Sequence, residues 1–272
     1  MNMIWQEQYG NWLLVPSHPI AVIHFLGGAF VATAPQVTYR PLLEFLASQG
    51  YAIIATPFVN TLDHRAIAER VLRNFNLGLE YLLTEQLRKG YLPVYGVGHS
   101  MGCKLHLLIG SLAPQERAGN IFMAFNNYPV KRSIPFMEQV SWFGAQFAQL
   151  SPQLMQPMAV EFTPSPEETN QLIAQHYSVK RNLLIKFRSD DIDQTRPLAE
   201  ILQVRFPELT TINLLKGNHL TPLGQDLRWQ AGQEFSPIDA IAQYVSQEVS
   251  RDFNQLKEAI ATWLNPLRRT IP

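Results

Sequence analysis

Ser100 stands in Gly98-His99-Ser100-Met101-Gly102, directly after the run Leu92-Pro93-Val94-Tyr95-Gly96-Val97. A strand feeding a tight, serine-bearing turn is the pattern of a nucleophile elbow, in which glycines on both sides let strand and helix pass close to the projecting hydroxyl. A serine hydroxyl is a poor nucleophile at neutral pH. It needs a histidine to take its proton and a carboxylate to hold that imidazole in the right tautomer. Two loops can supply them. Leu183-Leu184-Ile185-Lys186-Phe187 is followed by Arg188-Ser189-Asp190-Asp191-Ile192-Asp193, with three acids, and Ile212-Asn213-Leu214-Leu215 by Lys216-Gly217-Asn218-His219-Leu220-Thr221-Pro222, with one imidazole. In a wound sheet, catalytic groups collect where strands end, so Ser100, an acid of 190–193 and His219 are the three candidates. Asp193, just before Gln194-Thr195, also suits the cap of the next helix.

The other polar groups read as structural. His99 precedes the nucleophile and is expected to point away from it, and His106 lies on the helix that comes next. Asp63-His64 reads as a helix start and Cys103 as core. The histidines lack the spacing of a metal site, and serine chemistry requires no cofactor.

Hydrophobic rhythm outlines the scaffold around these residues. Trp5–Tyr9 and Trp12–Val15 flank Gly10-Asn11 and read as an antiparallel hairpin. Strands are then expected at Ile20–Phe25, Tyr51–Pro57, 92–97, Asn120–Phe125, Asn182–Phe187 and Leu209–Leu215. Helices are expected at Tyr39–Ser48, Leu62–Arg88 as one long helix or two shorter ones, Met101 to about Ala113, Gln194–Arg205 and Ile238–Leu264. The alternation implies an α/β fold with a mostly parallel twisted sheet flanked by helices. It breaks over 128–177, a proline-punctuated stretch with Phe136, Met137, Trp142, Phe143, Phe147, Leu154, Met155 and Met158. That stretch reads as a cap inserted into a core made of 1–127 and 178–272. An apolar cap over the serine would favour an acyl chain or another hydrophobic group.

Composition removes several classes of function. With 272 residues, 46% of them hydrophobic, the chain can bury a full core. Lys plus Arg and Asp plus Glu number 22 each, so the net charge is zero and the basic footprint of a nucleic-acid binder is missing. Cys103 is the one cysteine, which rules out an internal disulfide. No basic-then-apolar leader opens the sequence, and no run reaches the roughly 20 apolar residues of a membrane span. A soluble, cytoplasmic protein acting on a small molecule is expected.

The chain resembles an α/β-hydrolase over essentially its whole length, with serine, acid and histidine in that superfamily's order. More narrowly it resembles a family of unknown function found in cyanobacteria and plastids. The narrower match rests on His24-Phe25-Leu26-Gly27-Gly28-Ala29-Phe30, Ala55-Thr56-Pro57-Phe58, the segment 98–102, Phe162-Thr163-Pro164-Ser165-Pro166 and Asp190-Asp191-Ile192-Asp193. The superfamily's Gly-x-x-Asp acid loop, laid on Arg188-Ser189-Asp190-Asp191, selects Asp191, with Asp190 the alternative because Arg188 replaces the glycine. Its oxyanion hole implies two backbone donors, Met101 and a residue of the loop at His24–Gly28, where Phe25 and Leu26 rank together. The resemblance thus implies a serine hydrolase for esters or thioesters. A hydrolase-fold binding protein without turnover and an acyltransferase using the same triad are the alternatives.

Overall fold

A computed structural model describes residues 3–29, 31–130, 161–224 and 247–267. Eight strands form one sheet: β1 Gln6–Gln8, β2 Asn11–Leu14, β3 Ala21–Leu26, β4 Tyr51–Ala55, β5 Val94–His99, β6 Gly119–Met123, β7 Asn182–Phe187 and β8 Thr210–Leu215. Their spatial order is β1-β2-β4-β3-β5-β6-β7-β8. β2 runs antiparallel to both β1 and β4, and all other pairs are parallel. The chain leaves β3 for β4 on one side and then returns for β5 on the other. The crevice at such a switch point, beyond the strand ends, is where open α/β sheets bind ligands.

Helices cover both faces. They are α1 Pro35–Thr38, α2 Arg40–Ser48, α3 His64–Tyr81, α4 Met101–Leu112, α5 Pro166–His176, α6 Thr195–Arg205 and α7 Gln247–Leu264. The central strands are buried on both sides, which explains why they read as apolar runs without alternation. Ile23 and Phe25 of β3 join Leu42, Leu46, Leu256 and Ile260 of α2 and α7, whereas Leu26 points the other way to Ile67, Leu105 and Leu108 of α3 and α4.

Two expected boundaries shift. The hairpin turns at Tyr9-Gly10, because Gln8 pairs with Asn11, and both turn residues carry positive φ (51° and 70°). Asn11 is instead a buried strand residue whose side chain accepts from the Thr56 hydroxyl at 2.6 Å. The long helix expected over Leu62–Arg88 is α3, capped by the Asp63 side chain accepting from Ala66 N at 2.8 Å, followed by a wider turn at Leu82–Gln86. The closing helix is described from Gln247, so the earlier part of its expected span, like residues 131–160 of the expected cap, lies outside the described residues.

Within the segment expected as cap, α5 begins at a Ser165–Glu168 capping box. Ile173 and Tyr177 then share a buried cluster with Cys103 and Leu107 of α4 and Leu198 and Leu202 of α6. This part of 128–177 therefore packs within the helical layer.

A polar layer threads the interior between sheet and helices. Arg117 donates through Nη2 to His24 Nδ1 and through Nη1 to His106 Nδ1, each at 2.9 Å. Both Nδ1 atoms must then be acceptors, so each ring carries its proton on Nε2, facing Thr56 Oγ1 at 3.2 Å and Val97 O at 3.2 Å respectively. Burial, then the Arg117 charge, holds both imidazoles well below their ordinary value, and burial pushes Arg117 itself down to about 10.

Candidate active site

Ser100 sits between the end of β5 and the start of α4 with φ 52° and ψ −118°. A non-glycine residue in this region costs about 1–3 kcal/mol, a strain that clusters at functional sites. Two close approaches hold the turn. A Cβ at Gly102 would lie 2.0 Å from Leu26 O, and one at Gly98 would lie 2.7 Å from Cys103 N. Only glycine fits either position, which is the physical content of the Gly-x-Ser-x-Gly spacing. The Ser100 amide donates to Met123 O of β6 at 2.9 Å, fixing the turn to the neighbouring strand.

The acid and histidine loops meet because β7 and β8 continue to pair past their ends. Arg188 N donates to Leu215 O and Ser189 N to Gly217 O, both at 3.0 Å. Thr221 Oγ1 then accepts from Asn218 N at 2.9 Å, closing the loop that presents His219.

His219 Nε2 lies 3.0 Å from Ser100 Oγ, and His219 Nδ1 lies 2.8 Å from Asp190 Oδ2. An ionised carboxylate only accepts, so Nδ1 carries the proton and Nε2 turns a lone pair to the serine hydroxyl. The Asp190 side chain is 1% exposed, and its second oxygen accepts from Ile192 N at 3.2 Å.

Of the candidate acids, it is Asp190 that faces the imidazole. Asp191 is exposed, whereas Asp190 is buried against the imidazole. The Gly-x-x-Asp pattern counts one residue too far, because the β7–β8 pairing carries Arg188 and Ser189 before the chain turns in. Asp193 accepts from Thr195 N and Thr195 Oγ1 at 2.9 Å and from Lys186 Nζ at 3.1 Å, so it caps α6; burial raises its carboxyl despite those bonds.

The backbone amides expected as oxyanion donors differ in their surroundings. Met101 opens α4, so its amide has no preceding carbonyl within the helix and points out of the positive end of the dipole. Phe25 and Leu26 do not present free amides. Val22 N donates to Pro93 O before β5, and Phe25 O accepts from Thr56 N beyond β4. Partners alternate along a doubly paired parallel strand, so the amide of Phe25 belongs to the β4 ladder and that of Leu26 to the β5 ladder. β3 ends at Leu26, so the loop beyond both ladders begins at Gly27. The Gly28 amide donates to Tyr39 Oη at 2.8 Å.

Asn126 and Tyr39 make contacts that the sequence reading missed, whereas His64 and Cys103 stand where it put them, at a helix start and in the core. Asn126 donates through Nδ2 to Ser100 Oγ at 3.2 Å. It comes after β6 at the same sheet edge, so the rule that catalytic groups lie past strand ends would have found it. Tyr39 is fully buried, its hydroxyl 2.7 Å from His99 Nδ1, and nothing in the local sequence distinguishes it from a core aromatic. His64 opens α3 and stacks on Phe162 with ring centroids 4.2 Å apart, and burial pushes it down to about 2. Cys103 is buried, its thiol donating to Met123 O at 3.3 Å. Among the described residues no group of His, Cys, Asp and Glu is gathered as a metal site, and no helix is long and apolar enough to cross a membrane.

Solved structures similar to the chain include an esterase of Pyrococcus furiosus, Pf2001, with 14% identity and a TM-score of 0.60 over 94% of this chain and 84% of that one. Carboxylesterase CesB of Bacillus subtilis matches at 11% identity and TM-score 0.55, over 97% and 92% of the two chains. FphF, a fluorophosphonate-binding serine hydrolase of Staphylococcus aureus, matches at 10% identity and TM-score 0.56, over 94% and 92%. Together with the strand order, these establish the α/β-hydrolase fold. No curated protein matches the sequence. The model of the family described as "Protein of unknown function (DUF1350)" matches residues 4–266, and the chain belongs to that family.

Proposed function

We propose that the protein is a serine hydrolase that cleaves an ester or thioester of a small molecule through an acyl-enzyme. The observation that carries this reading is the continuous contact Ser100 Oγ, His219 Nε2, His219 Nδ1, Asp190 Oδ2, at 3.0 and 2.8 Å. Ser100 Oγ attacks the substrate carbonyl while its proton passes to His219 Nε2. Asp190, buried opposite, holds the ring and stabilises the imidazolium. The oxyanion is held by the Met101 amide and by Gly27 or Ala29 of the loop after β3, each donor contributing about 3–4 kcal/mol in comparable sites. His219 then returns the proton to the leaving alcohol or thiol. Water, deprotonated by the same imidazole, attacks the acyl-serine and releases the acid with Ser100 restored.

Asn126 fits this chemistry. By donating to Ser100 Oγ it occupies a lone pair and leaves the hydroxyl proton directed at His219. The preference for an apolar acyl group rests on the aromatic and methionine content of 128–160. A screen of p-nitrophenyl esters and acyl thioesters of increasing chain length, run on the wild type and Ser100→Ala, tests the proposal. Turnover that disappears in Ser100→Ala is expected; turnover that survives it removes Ser100 as the nucleophile.

A further inference from the structure

His99 is 2% exposed at the end of β5, and burial, then the neighbouring His219, holds it well below its ordinary value. Its hydrogen bonds have only one consistent direction. Nε2 lies 2.8 Å from the backbone carbonyl of His219, which can only accept, so Nε2 carries the ring proton. Nδ1 is then an acceptor and takes the Tyr39 hydroxyl at 2.7 Å. Having donated its proton, Tyr39 Oη accepts from the Gly28 amide at 2.8 Å. The chain of donors runs from Gly28 N–H to Tyr39 O–H to His99, and from His99 N–H to His219 O.

Each end of this chain holds a loop that the reaction needs. Gly28 belongs to the loop that carries the proposed oxyanion donors, and a Cβ at Gly28 would lie 3.4 Å from Ser100 Cβ. The His219 carbonyl belongs to the residue whose ring spans Ser100 and Asp190. Burial alone requires both ring nitrogens of His99 to be paired; what sets this histidine apart is that its two bonds lead to Gly28 on one side and to the His219 backbone on the other. We infer that His99 is a positioning residue: through the His219 carbonyl it sets the imidazole between Ser100 and Asp190, and through Tyr39 it sets the oxyanion loop. The inference rests on the hydrolase reading above. His99 touches no reacting atom, so its effect falls on kcat through geometry, where a displacement of about 1 Å costs on the order of 100-fold.

The test is hydrolysis of p-nitrophenyl acetate by the wild type, His99→Phe, His99→Gln, Tyr39→Phe and, as a control, His106→Gln, with kcat, KM and melting temperature measured for each. His99→Phe is expected to lower kcat about 10- to 100-fold with KM within about threefold. His99→Gln retains an N–H that reaches the His219 carbonyl and is expected to recover kcat to within about fivefold of the wild type. Tyr39→Phe, which cuts the chain at its middle, is expected to lower kcat about 3- to 10-fold. His106→Gln alters a buried histidine of α4 bonded to Val97 and Arg117, and is expected to lower the melting temperature while leaving kcat within about twofold. A folded His99→Phe with wild-type kcat overturns the inference, as does a His99→Gln as impaired as His99→Phe. Should His99→Phe not fold, wild-type kcat in Tyr39→Phe overturns it. A wild type that neither hydrolyses esters nor reacts with a fluorophosphonate refutes the hydrolase reading itself, and the inference with it.

Discussion

Replacing Asp190 by Asn exchanges one oxygen for an amide nitrogen, and the bonds around the carboxylate dictate the consequence. Asp190 Oδ1 accepts from Ile192 N at 3.2 Å while Oδ2 faces His219 Nδ1 at 2.8 Å. An asparagine keeps the first bond by placing its carbonyl oxygen at Ile192. Its amide N–H₂ then faces His219 Nδ1, which must become an acceptor. The ring proton moves to Nε2, the atom 3.0 Å from Ser100 Oγ, and the base is lost with little change in shape. The buried negative charge opposite the imidazolium is lost as well. Where such a carboxylate has been replaced in other triads, kcat falls about 10,000-fold, or about 5 kcal/mol of transition-state stabilisation. Asp190→Asn is therefore expected to lower kcat about 1,000- to 10,000-fold on the best ester found. Asp191→Asn, at an exposed position, is expected to stay within about twofold. Steady-state kinetics on the two variants, with circular dichroism to establish folding, decides. A large loss in Asp191→Asn, or retention of a tenth or more of the activity in Asp190→Asn, refutes the assignment.

Two further predictions concern pH and the serine hydroxyl. His24, His99 and His106 are buried neutral, with folded values well below the unfolded value of about 6.5, so the unfolded chain binds more protons as pH falls. Their contribution to stability is fully present above about pH 6.5 and is lost on acidification. Each loses about 1 kcal/mol between pH 6.5 and 5.5, and His64, which burial holds at about 2, loses as much, so urea unfolding is expected to show about 4 kcal/mol less stability at the lower pH, and a flat profile contradicts the neutral assignment. Asn126→Ala frees the Ser100 hydroxyl to rotate and is expected to lower kcat about 3- to 10-fold with little change in melting temperature; unchanged kcat removes Asn126 from the site.

The parallel sheet was legible because its central strands are buried on both faces and stand out as mostly apolar runs such as Val22–Leu26. The elbow was legible because Gly98 must clear the backbone of its own turn at Gly102 and Cys103, and Gly102 the carbonyl of Leu26 in β3, so both positions admit only glycine. What the sequence could not convey depends on how segments meet. The choice between Asp190 and Asp191 is decided by how far β7 and β8 pair beyond their last strand residues, a matter of two hydrogen bonds at Arg188 and Ser189. The amides of Phe25 and Leu26 were lost to ladders whose partners, β4 and β5, are remote in sequence. Tyr39 reaches His99 across 60 residues, and a buried tyrosine carries no local sign that its hydroxyl is part of a relay. The hairpin slipped by one residue because Tyr9 adopts a positive φ that its side chain disfavours.

Activation of Ser100 by His219 and Asp190 is the step on which the proposed chemistry depends. A fluorophosphonate reports on it without a known substrate: the rate of labelling, and its site by peptide mass mapping, are measured in the wild type, Ser100→Ala and His219→Ala. Stoichiometric phosphonylation of Ser100 in the wild type is expected, absent in Ser100→Ala and slowed at least about 100-fold in His219→Ala. A folded wild-type protein that takes no label, or takes it at a residue other than Ser100, contradicts that activation.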